Sequence, residues 1–383
     1  MTPAARLAAA ITVLDPILSG APVEQTLTNW GRANRYAGSG DRAAVRDLVY
    51  DALRCRRSFA ALGGAETGRG LILGGLRAQG LDPATLFTGE GHAPPRLTDA
   101  DTGRPPTEAE AADLPDWLLP LFAKALGDDA PAVAQALRHR APVFLRANLA
   151  RTTCQAAIAA LAQDQITAVP HPLARTALEV TGGQRRIQTS QAYQTGLVEL
   201  QDAASQAVVQ MLPLRDGQKV LDYCAGGGGK TLAMAGLAKL NLYAHDAAFR
   251  RMKDVPDRAR RAGVKVTLTD TPQAHAPYDL VLADVPCSGS GSWRRDPQGK
   301  WALTPETLAA LVQTQAQILD GIAGLVGPGG SLAYATCSVL RDENFAQIDQ
   351  FLQRSPGWKL LEQRQFTPLE GGDGFFIAHL TRY

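Results

Sequence analysis

From Gln201 onward the chain alternates short apolar strands with helices, and this alternation limits the possible folds more than any other feature. Lys219–Asp222, Leu240–His245, Val264–Leu268, Tyr278–Ala283 and Ser331–Ala335 read as strands, the last entered through the turn Gly327-Pro328-Gly329-Gly330. Lys230–Leu240, Phe249–Ala262 and Pro305–Val326 carry helical periodicity between them. Parallel strands need a crossover, usually a helix, so the pattern predicts an α/β fold with a doubly wound, Rossmann-like parallel sheet.

The first part of the chain has a different rhythm. From Pro3 to about Leu76 it is helical: Leu7, Ile11, Leu14 and Leu18 recur at helical spacing, as do Val45, Leu48, Val49, Ala52 and Leu53. Ser39-Gly40-Asp41 supplies a helix start, with Ser39 or Asp41 available to cap. Arg32, Arg35, Arg42, Arg46, Arg54, Arg56 and Arg57 surround it, and they read either as a solvated face or as a patch facing RNA. Residues 80–113 are dense in Pro, Gly, Thr and acids and read as a linker or an irregular connection rather than a core element. Helical periodicity returns from Trp117 to Leu137, followed by a strand-like Val143–Asn148 and an Ala-rich helix over Gln155–Ala162. The expected organisation is a helical domain over 1–80, a linker over 81–113, a connecting α/β segment over 114–195 and the doubly wound domain over 196–383.

The 383 residues suffice for two or three domains, and 45% hydrophobic with 20% charged residues is ordinary globular composition. A net charge of +2 permits a nucleic-acid partner without requiring one. No apolar run approaches the roughly 18 residues of a membrane span. The first helical stretch runs into Asp15-Pro16 without a cleavage pattern, so neither a membrane nor a secretory route is expected. Cys55, Cys154, Cys224, Cys287 and Cys337 are odd in number and contain no CxxC pair. That argues against a disulfide framework and a structural metal, and places the protein in a reducing cytoplasm.

At the end of the first strand stands Cys224-Ala225-Gly226-Gly227-Gly228-Gly229-Lys230-Thr231. Ligands of open parallel sheets bind beyond the carboxyl ends of strands, where glycines let backbone N–H groups approach closely. A phosphate loop needs glycine where Cys224 stands, although Asp284 mimics the magnesium-holding acid that ends a neighbouring strand. Asp246, about 20 residues beyond the loop, is placed to accept ribose hydroxyls. Ribose binding without a phosphate grip favours a nucleoside-like methyl donor, S-adenosylmethionine, over the rival NTPase reading.

Cys287, in Asp284-Val285-Pro286-Cys287-Ser288, and Cys337, in Thr336-Cys337-Ser338, end two further strands on the same sheet edge. Thiols beside a methyl donor suit alkylation of a pyrimidine at carbon-5. A thiolate adding at carbon-6 makes carbon-5 nucleophilic, and a base then removes the carbon-5 proton. Asp284 is the candidate acid near the ring nitrogen. Cys55 and Cys154 read as inert buried side chains.

These motifs, with Glu343-Asn344 and Gly372-Asp373-Gly374-Phe375-Phe376, resemble the Sun/Nop family of RNA 5-methylcytosine methyltransferases, and within it the bacterial small-subunit rRNA type. The resemblance is strong from Gln201-Asp202-Ala203 onward and weaker over Leu145-Arg146-Ala147-Asn148 and the N-terminal helices, which with Gly38-Ser39-Gly40-Asp41-Arg42 look like a NusB-type RNA-binding domain. It implies a class I methyltransferase domain, S-adenosylmethionine as cofactor and an RNA substrate, rRNA foremost with tRNA left open. It implies no metal and a monomer. Analogy with DNA cytosine methyltransferases would make Cys287 the nucleophile. The family resemblance instead gives that role to Cys337 and makes Cys287 the residue that assists proton removal and release. It places the donor against Cys224, Ala225, Gly226, Gly227, Gly228, Gly229, Lys230, Asp246, Asp270 and Asp284. Gly227 stands where the family usually has proline, which predicts a looser empty loop. The rival without catalysis is an RNA-binding scaffold; intact Cys337, Cys287 and Asp284 argue against it.

Overall fold

The computed structural model describes all 383 residues, Met1–Tyr383, and divides into two compact units: Met1–Arg140 with Trp293–Ala302, and Ala141–Ser292 with Leu303–Tyr383.

The first unit is helical: α1 (Pro3–Leu18), α2 (Val23–Ala33), α3 (Ser39–Arg54), α4 (Arg56–Gly63) and α5 (Gly68–Ala78). The Thr2 hydroxyl accepts from Ala5 N at 3.2 Å and Thr67 accepts from Gly70 N at 3.1 Å, so α1 and α5 start on capping residues. At the start of α3 the cap is Gly38, whose N–H donates to Asp41; Asp41 also pairs with Arg6 and the N-terminal amine. Leu7, Leu14, Val45, Val49, Leu53, Leu71 and Leu73 form the core. Helices α4 and α5 approach so closely that a Cβ at Gly74 would lie 1.9 Å from the Phe59 carbonyl oxygen.

Residues 81–113 are not a detached linker. Phe87 is in the first unit's core, Asp101 pairs with Arg69 at 2.8 Å, and the fully buried Asp113 accepts from Arg57 N and Ser58 N and pairs with Arg138 at 2.7 Å. Side chains that anchor irregular backbone leave no periodic signal. The helix over Trp117–Leu137 is broken, into Leu119–Leu126 and Ala130–Leu137, by Gly127 at φ 55°.

The arginine cluster is largely engaged within this unit. Arg46 pairs with Glu24, Arg56 with Glu66 and Arg57 with Asp116, while buried Arg54 donates to Arg294 O at 2.7 Å. Arg32 and Arg35 remain exposed. Trp293 is buried and stacks on Phe122 with ring centroids 6.1 Å apart. Lys300 Nζ and Trp301 Nε1 donate to the carbonyls of Arg54 and Leu53, the C-terminal turn of α3. Trp293, Lys300 and Trp301 are therefore engaged within the first unit.

The second unit carries two sheets. The smaller is antiparallel, order β2-β3-β1-β4, from β1 (Val143–Ala147), β2 (Thr167–Pro170), β3 (Ala177–Gly182) and β4 (Val198–Leu200), with a helix over Cys154–Gln163. The larger comprises β5 (Lys219–Asp222), β6 (Asn241–Ala244), β7 (Thr267–Leu268), β8 (Tyr278–Asp284), β9 (Val326–Thr336), β10 (Trp358–Phe366) and β11 (Phe375–Arg382), in the order β10-β11-β9-β8-β5-β6-β7. Strands β5 to β9 pair in parallel, and β11 pairs antiparallel with both β9 and β10. The sheet is thus mixed rather than wholly parallel. Its polar, half-exposed edge strand β10 lacks the apolar run that marks the buried strands.

Leu280–Ala283 and Leu332–Ala335 are fully buried because helices cover both faces of the parallel strands. Strand β9 begins earlier than expected, at Val326. Gly327–Gly330 forms an irregularity inside it, so a step from Tyr278 to Leu280 matches one from Val326 to Ser331. The expected third strand shrinks to Thr267–Leu268, and the helix over Phe249–Ala262 splits into a 3-10 turn at Phe249–Met252 and a helix at Val255–Ala262. Chain order reverses at β5, so the loops after β5 and β8 face one crevice.

Candidate active site

The crevice is a cavity of about 510 Å³, within the range of small-molecule sites. Its wall includes Cys224 to Gly227, Gly229 and Lys230 from the loop after β5, Asp284 to Cys287 from β8, and Cys337 after β9. Of the residues singled out from sequence, Gly228, Asp246 and Asp270 are not in this wall. Asp246 is buried behind the loop: its Oδ2 accepts from Gly226 N at 3.0 Å and its Oδ1 from Ala248 N at 2.9 Å, and Arg251 Nη1 lies 3.1 Å from Oδ2. Asp246 therefore braces the glycine loop in this structure, and Arg251 carries the wall in front of it. Asp270 is exposed beyond the short β7.

Gly226 and Gly228 adopt φ of 51° and 78°, a conformation that glycine takes without a Cβ penalty. Gly227 is held from outside: Arg258 donates to its carbonyl oxygen, and the same guanidinium lies 3.5 Å from Glu199. A Cβ on Gly227 would stand 3.0 Å from Arg258 Nη1. The loop is clamped where a looser one was expected from the missing proline.

Lys230 is buried at the start of the helix Gly229–Ala235, its Nζ 2.6 Å from Asp284 Oδ2 and 4.8 Å from the Phe375 ring centroid. Burial alone would lower its pKa, but the charge and hydrogen bond of Asp284 hold it above the usual lysine value. An ammonium committed to Asp284 does not serve as a phosphate grip, which removes the basis of the NTPase reading.

Asp222 lies beneath the loop, fully buried, accepting from Thr231 Oγ1 at 2.6 Å through Oδ2. Burial raises its pKa to about 6, with the negative charge of Asp284 adding to the rise. Asp222 Oδ1 and Gln201 Oε1 are buried acceptors without a partner, and both residues line the cavity. Two orphaned acceptors beside glycine backbone donors fit the ammonium and carboxylate of an amino-acid moiety. In the sequence Asp222 stands out only as a strand end, although its place just before the glycine loop is a usable signal.

Cys287 Sγ and Cys337 Sγ are 3.4 Å apart and both cysteines are free thiols. The hydrogen bond from Cys287 favours the thiolate of Cys337 and lowers its pKa; burial and Asp284 oppose this, while Lys230 and the Ser292 hydroxyl assist. Cys287 is displaced upward, first by its hydrogen bond to Cys337, then by burial and by the charges of Cys337 and Glu343. The other thiols are held protonated, Cys224 by burial and three carboxylates, and Cys55 at about 11 chiefly by burial. No group of three or more His, Cys, Asp or Glu side chains is placed to hold a metal ion, and no helix is long and apolar enough to cross a membrane.

The mixed sheet, with a glycine loop at its switch point and a carboxylate ending the neighbouring strand, defines a Rossmann-like methyltransferase fold. A model described as 16S rRNA methyltransferase RsmB/F matches residues 209–381, and one for the ferredoxin-like domain of the same methyltransferases matches 114–185. The chain is 33% identical over 284 residues to Ribosomal RNA small subunit methyltransferase B of Salmonella arizonae, and equally so to that of Photorhabdus laumondii. Each alignment covers 70% of this chain and 66% of the relative, so the chain spans just under two thirds of those proteins. Among solved structures, PH0851 matches at TM-score 0.78 and 24% identity over 99% of both chains. A methyltransferase homolog from Pyrococcus horikoshii matches at TM-score 0.63 and 23% identity, over 72% of this chain and 97% of that one. The chain belongs to the RsmB/F methyltransferase family of the Sun/Nop group.

Proposed function

We propose that this protein methylates carbon-5 of a cytosine in RNA, with small-subunit ribosomal RNA as the substrate class. The observation that carries this reading is the pair of thiols, Cys287 and Cys337, 3.4 Å apart in the wall of the glycine-loop cavity. The curated relatives are named as small-subunit ribosomal RNA methyltransferases, which supports the substrate class.

The cofactor that fits the cavity is S-adenosylmethionine, and when bound it supplies an electrophilic methyl group. Its amino-acid end would be held by Asp222, Gln201 and the N–H groups of Gly227 and Gly229, with Asp246 and Arg251 on the ribose side. Cys337, the thiol favoured as thiolate, adds to carbon-6 of the cytosine. Asp284, ionised beside Lys230, relays a proton from the Lys230 ammonium 2.6 Å away to ring N3, so that negative charge does not build up on the ring. Carbon-5 then takes the methyl group. Once Cys337 is bonded to carbon, the charge and hydrogen bond that kept Cys287 protonated are gone. Cys287 releases its proton to water and takes the carbon-5 proton; the carbon-6–sulfur bond breaks and N3 returns its proton to the Asp284–Lys230 pair. The cycle releases one proton, as exchange of a C–H for a C–CH₃ bond requires.

The cytosine has to leave its stack for both ring faces to be reached, so the substrate is unpaired or flipped. The helical first unit is the proposed RNA-binding, NusB-like part, with Arg32 and Arg35 as its exposed cations. The protein would act as a monomer in the cytoplasm. The test is transfer of labelled methyl to unmodified small-subunit rRNA, with tRNA in parallel, followed by bisulfite mapping. Label appearing only on a base other than cytosine would overturn the reading.

A further inference from the structure

Outside the residues that reach the cavity, the most unusual group in the second unit is Glu343. It is fully buried in the 3-10 turn Arg341–Glu343 just beyond Cys337. Its Oε1 accepts from Ser288 N at 2.8 Å and from Gln315 Nε2 at 3.0 Å, and its Oε2 accepts from the hydroxyls of Ser288 and Ser338. Four donors converging on two oxygens is the pattern of an ionised carboxylate. All four are neutral. A buried carboxylate without a cation is costly for stability.

Its partners explain where that cost is useful. Ser288 follows Cys287 and Ser338 follows Cys337, so one carboxylate is hydrogen-bonded to the residue after each thiol. The same bridge is reinforced on both sides. Gln315, buried in the helix Pro305–Ala323, also donates to Pro286 O at 3.0 Å, immediately before Cys287. Asn344 accepts from Thr336 Oγ1 at 2.6 Å and donates to Ser338 O at 2.8 Å, holding both neighbours of Cys337. Gly291 N donates to Cys337 O at 2.9 Å and Ser290 Oγ lies 2.8 Å from Ser338 Oγ.

We propose that Glu343 is the positioning residue of the cysteine pair: its carboxylate sets the spacing of the two thiol loops and, by its charge, assigns the proton of the pair to Cys287. The proposal rests on the covalent reading of the two thiols. The surrounding charges divide the pair in the same sense. Cys337 faces Lys230 and Asp284, with the Ser292 hydroxyl beside it. Cys287 faces Glu343 and the Gly289 N–H. Each thiol thus has a carboxylate near it, but Asp284 beside Cys337 is paired with the Lys230 ammonium at 2.6 Å, whereas Glu343 beside Cys287 has only neutral donors and is hydrogen-bonded to both thiol loops. Neutralising Glu343 leaves the shape of the bridge and removes its field.

The experiment is the pH dependence of alkylation of Cys287 and Cys337, each read by mass spectrometry on the full chain, in wild type and in Glu343→Gln. In wild type Cys337 is expected to be modified with the lower pH midpoint. In Glu343→Gln the Cys287 midpoint is expected to fall toward that of Cys337 by about one unit, a tenfold change in its thiolate fraction. kcat falls while KM for S-adenosylmethionine is unchanged, and Glu343→Asp recovers part of the separation. Should Glu343→Gln not fold, Ser288→Ala removes one of the four donors and is expected to lower kcat at unchanged donor KM. Unchanged alkylation midpoints in Glu343→Gln, or a donor KM that rises in step with the loss of kcat in either variant, overturn the proposal. Absence of any Cys337-dependent RNA adduct in Cys287→Ala, with the wild-type protein active, overturns the covalent reading and this proposal with it, whereas the former results leave that reading standing.

Discussion

Cys287 and Cys337 end adjacent parallel strands, β8 and β9, whose register sets Asp284 opposite Ala335, and this brings their sulfurs to 3.4 Å. Fifty residues of sequence separate them, yet they share one hydrogen bond. Replacing Cys287 by Ala removes the base that releases carbon-5 and leaves the attacking thiol. A covalent protein–RNA complex is expected to accumulate, visible as a shifted band on denaturing gels. Cys337→Ala is expected to form none, and an adduct that persists in that variant would assign the nucleophile to Cys287.

Donor affinity is expected to fall with pH because of Asp222. Its folded pKa is raised to about 6, so the free protein binds a proton there below that pH while an unfolded aspartate has already lost it. A donor ammonium favours the ionised carboxylate, so binding expels this proton and weakens as pH falls from 7 through 6 to 5. Calorimetry in buffers of different ionisation enthalpy should show about three quarters of a proton released near pH 5.5. In Asp222→Asn that release is expected to vanish, along with roughly tenfold of donor affinity at pH 7, the scale of one charge-assisted hydrogen bond. Proton release unchanged in Asp222→Asn would place the titrating group elsewhere.

Arg258 and Gly227 are expected to behave as a coupled pair. Arg258→Ala frees the Gly227 carbonyl and leaves Glu199 with Arg261, 2.8 Å away, so the loop loses its clamp but not its neighbours. The donor dissociation constant is expected to rise about fivefold to tenfold, the scale of one hydrogen bond. Gly227→Ala places a Cβ 3.0 Å from Arg258 Nη1 and should cost a similar amount by displacing the guanidinium. The double variant should then be little worse than either single one, a non-additivity of about 1 kcal/mol in a double-mutant cycle. Strict additivity would show that Arg258 does not act through the loop.

Lys300 has the opposite sign of linkage to a surface lysine. Burial pushes its pKa down to about 8 in the folded first unit, below the usual value near 10.5. Between those values the unfolded chain binds more protons than the folded one, so the stability of wild type is expected to rise as pH goes from 8 to 10. Lys300→Met removes the cost of the buried charge but leaves the Arg54 carbonyl without its 2.9 Å donor. Urea denaturation should therefore show the variant losing ground to wild type on going from pH 7 to pH 10, by up to about 3 kcal/mol. A pH-independent difference between the two would mean that Lys300 is not titrating in this range.

Much of the second unit was legible because its physics is periodic and local. Lys219–Asp222 and Tyr278–Asp284 are apolar runs since both faces of a parallel strand are covered, and each ends where its hydrogen-bonded ladder ends. Glycines followed by Lys230-Thr231 at such an end announce a ligand, and two cysteines at two other ends announce where the chemistry converges. The polar edge strand β10, the Gly327–Gly330 irregularity in β9 and the core role of Phe87 carried no such period.

Charge and proximity were decided elsewhere. Sequence order alone set a glycine loop, two thiols and three acids on one sheet edge, because strand alternation and side-chain chemistry are written in neighbouring residues. It did not separate Asp284, which reaches Lys230 in the cavity, from Asp246, which turns behind the loop to Gly226 N, or from Asp270, which stays in solvent. Nor did it divide the two thiols by charge, with Lys230 toward Cys337 and Glu343 toward Cys287. Electrostatic fields act through space over a few ångströms, and only the packed sheet determines which of these groups lie within that reach.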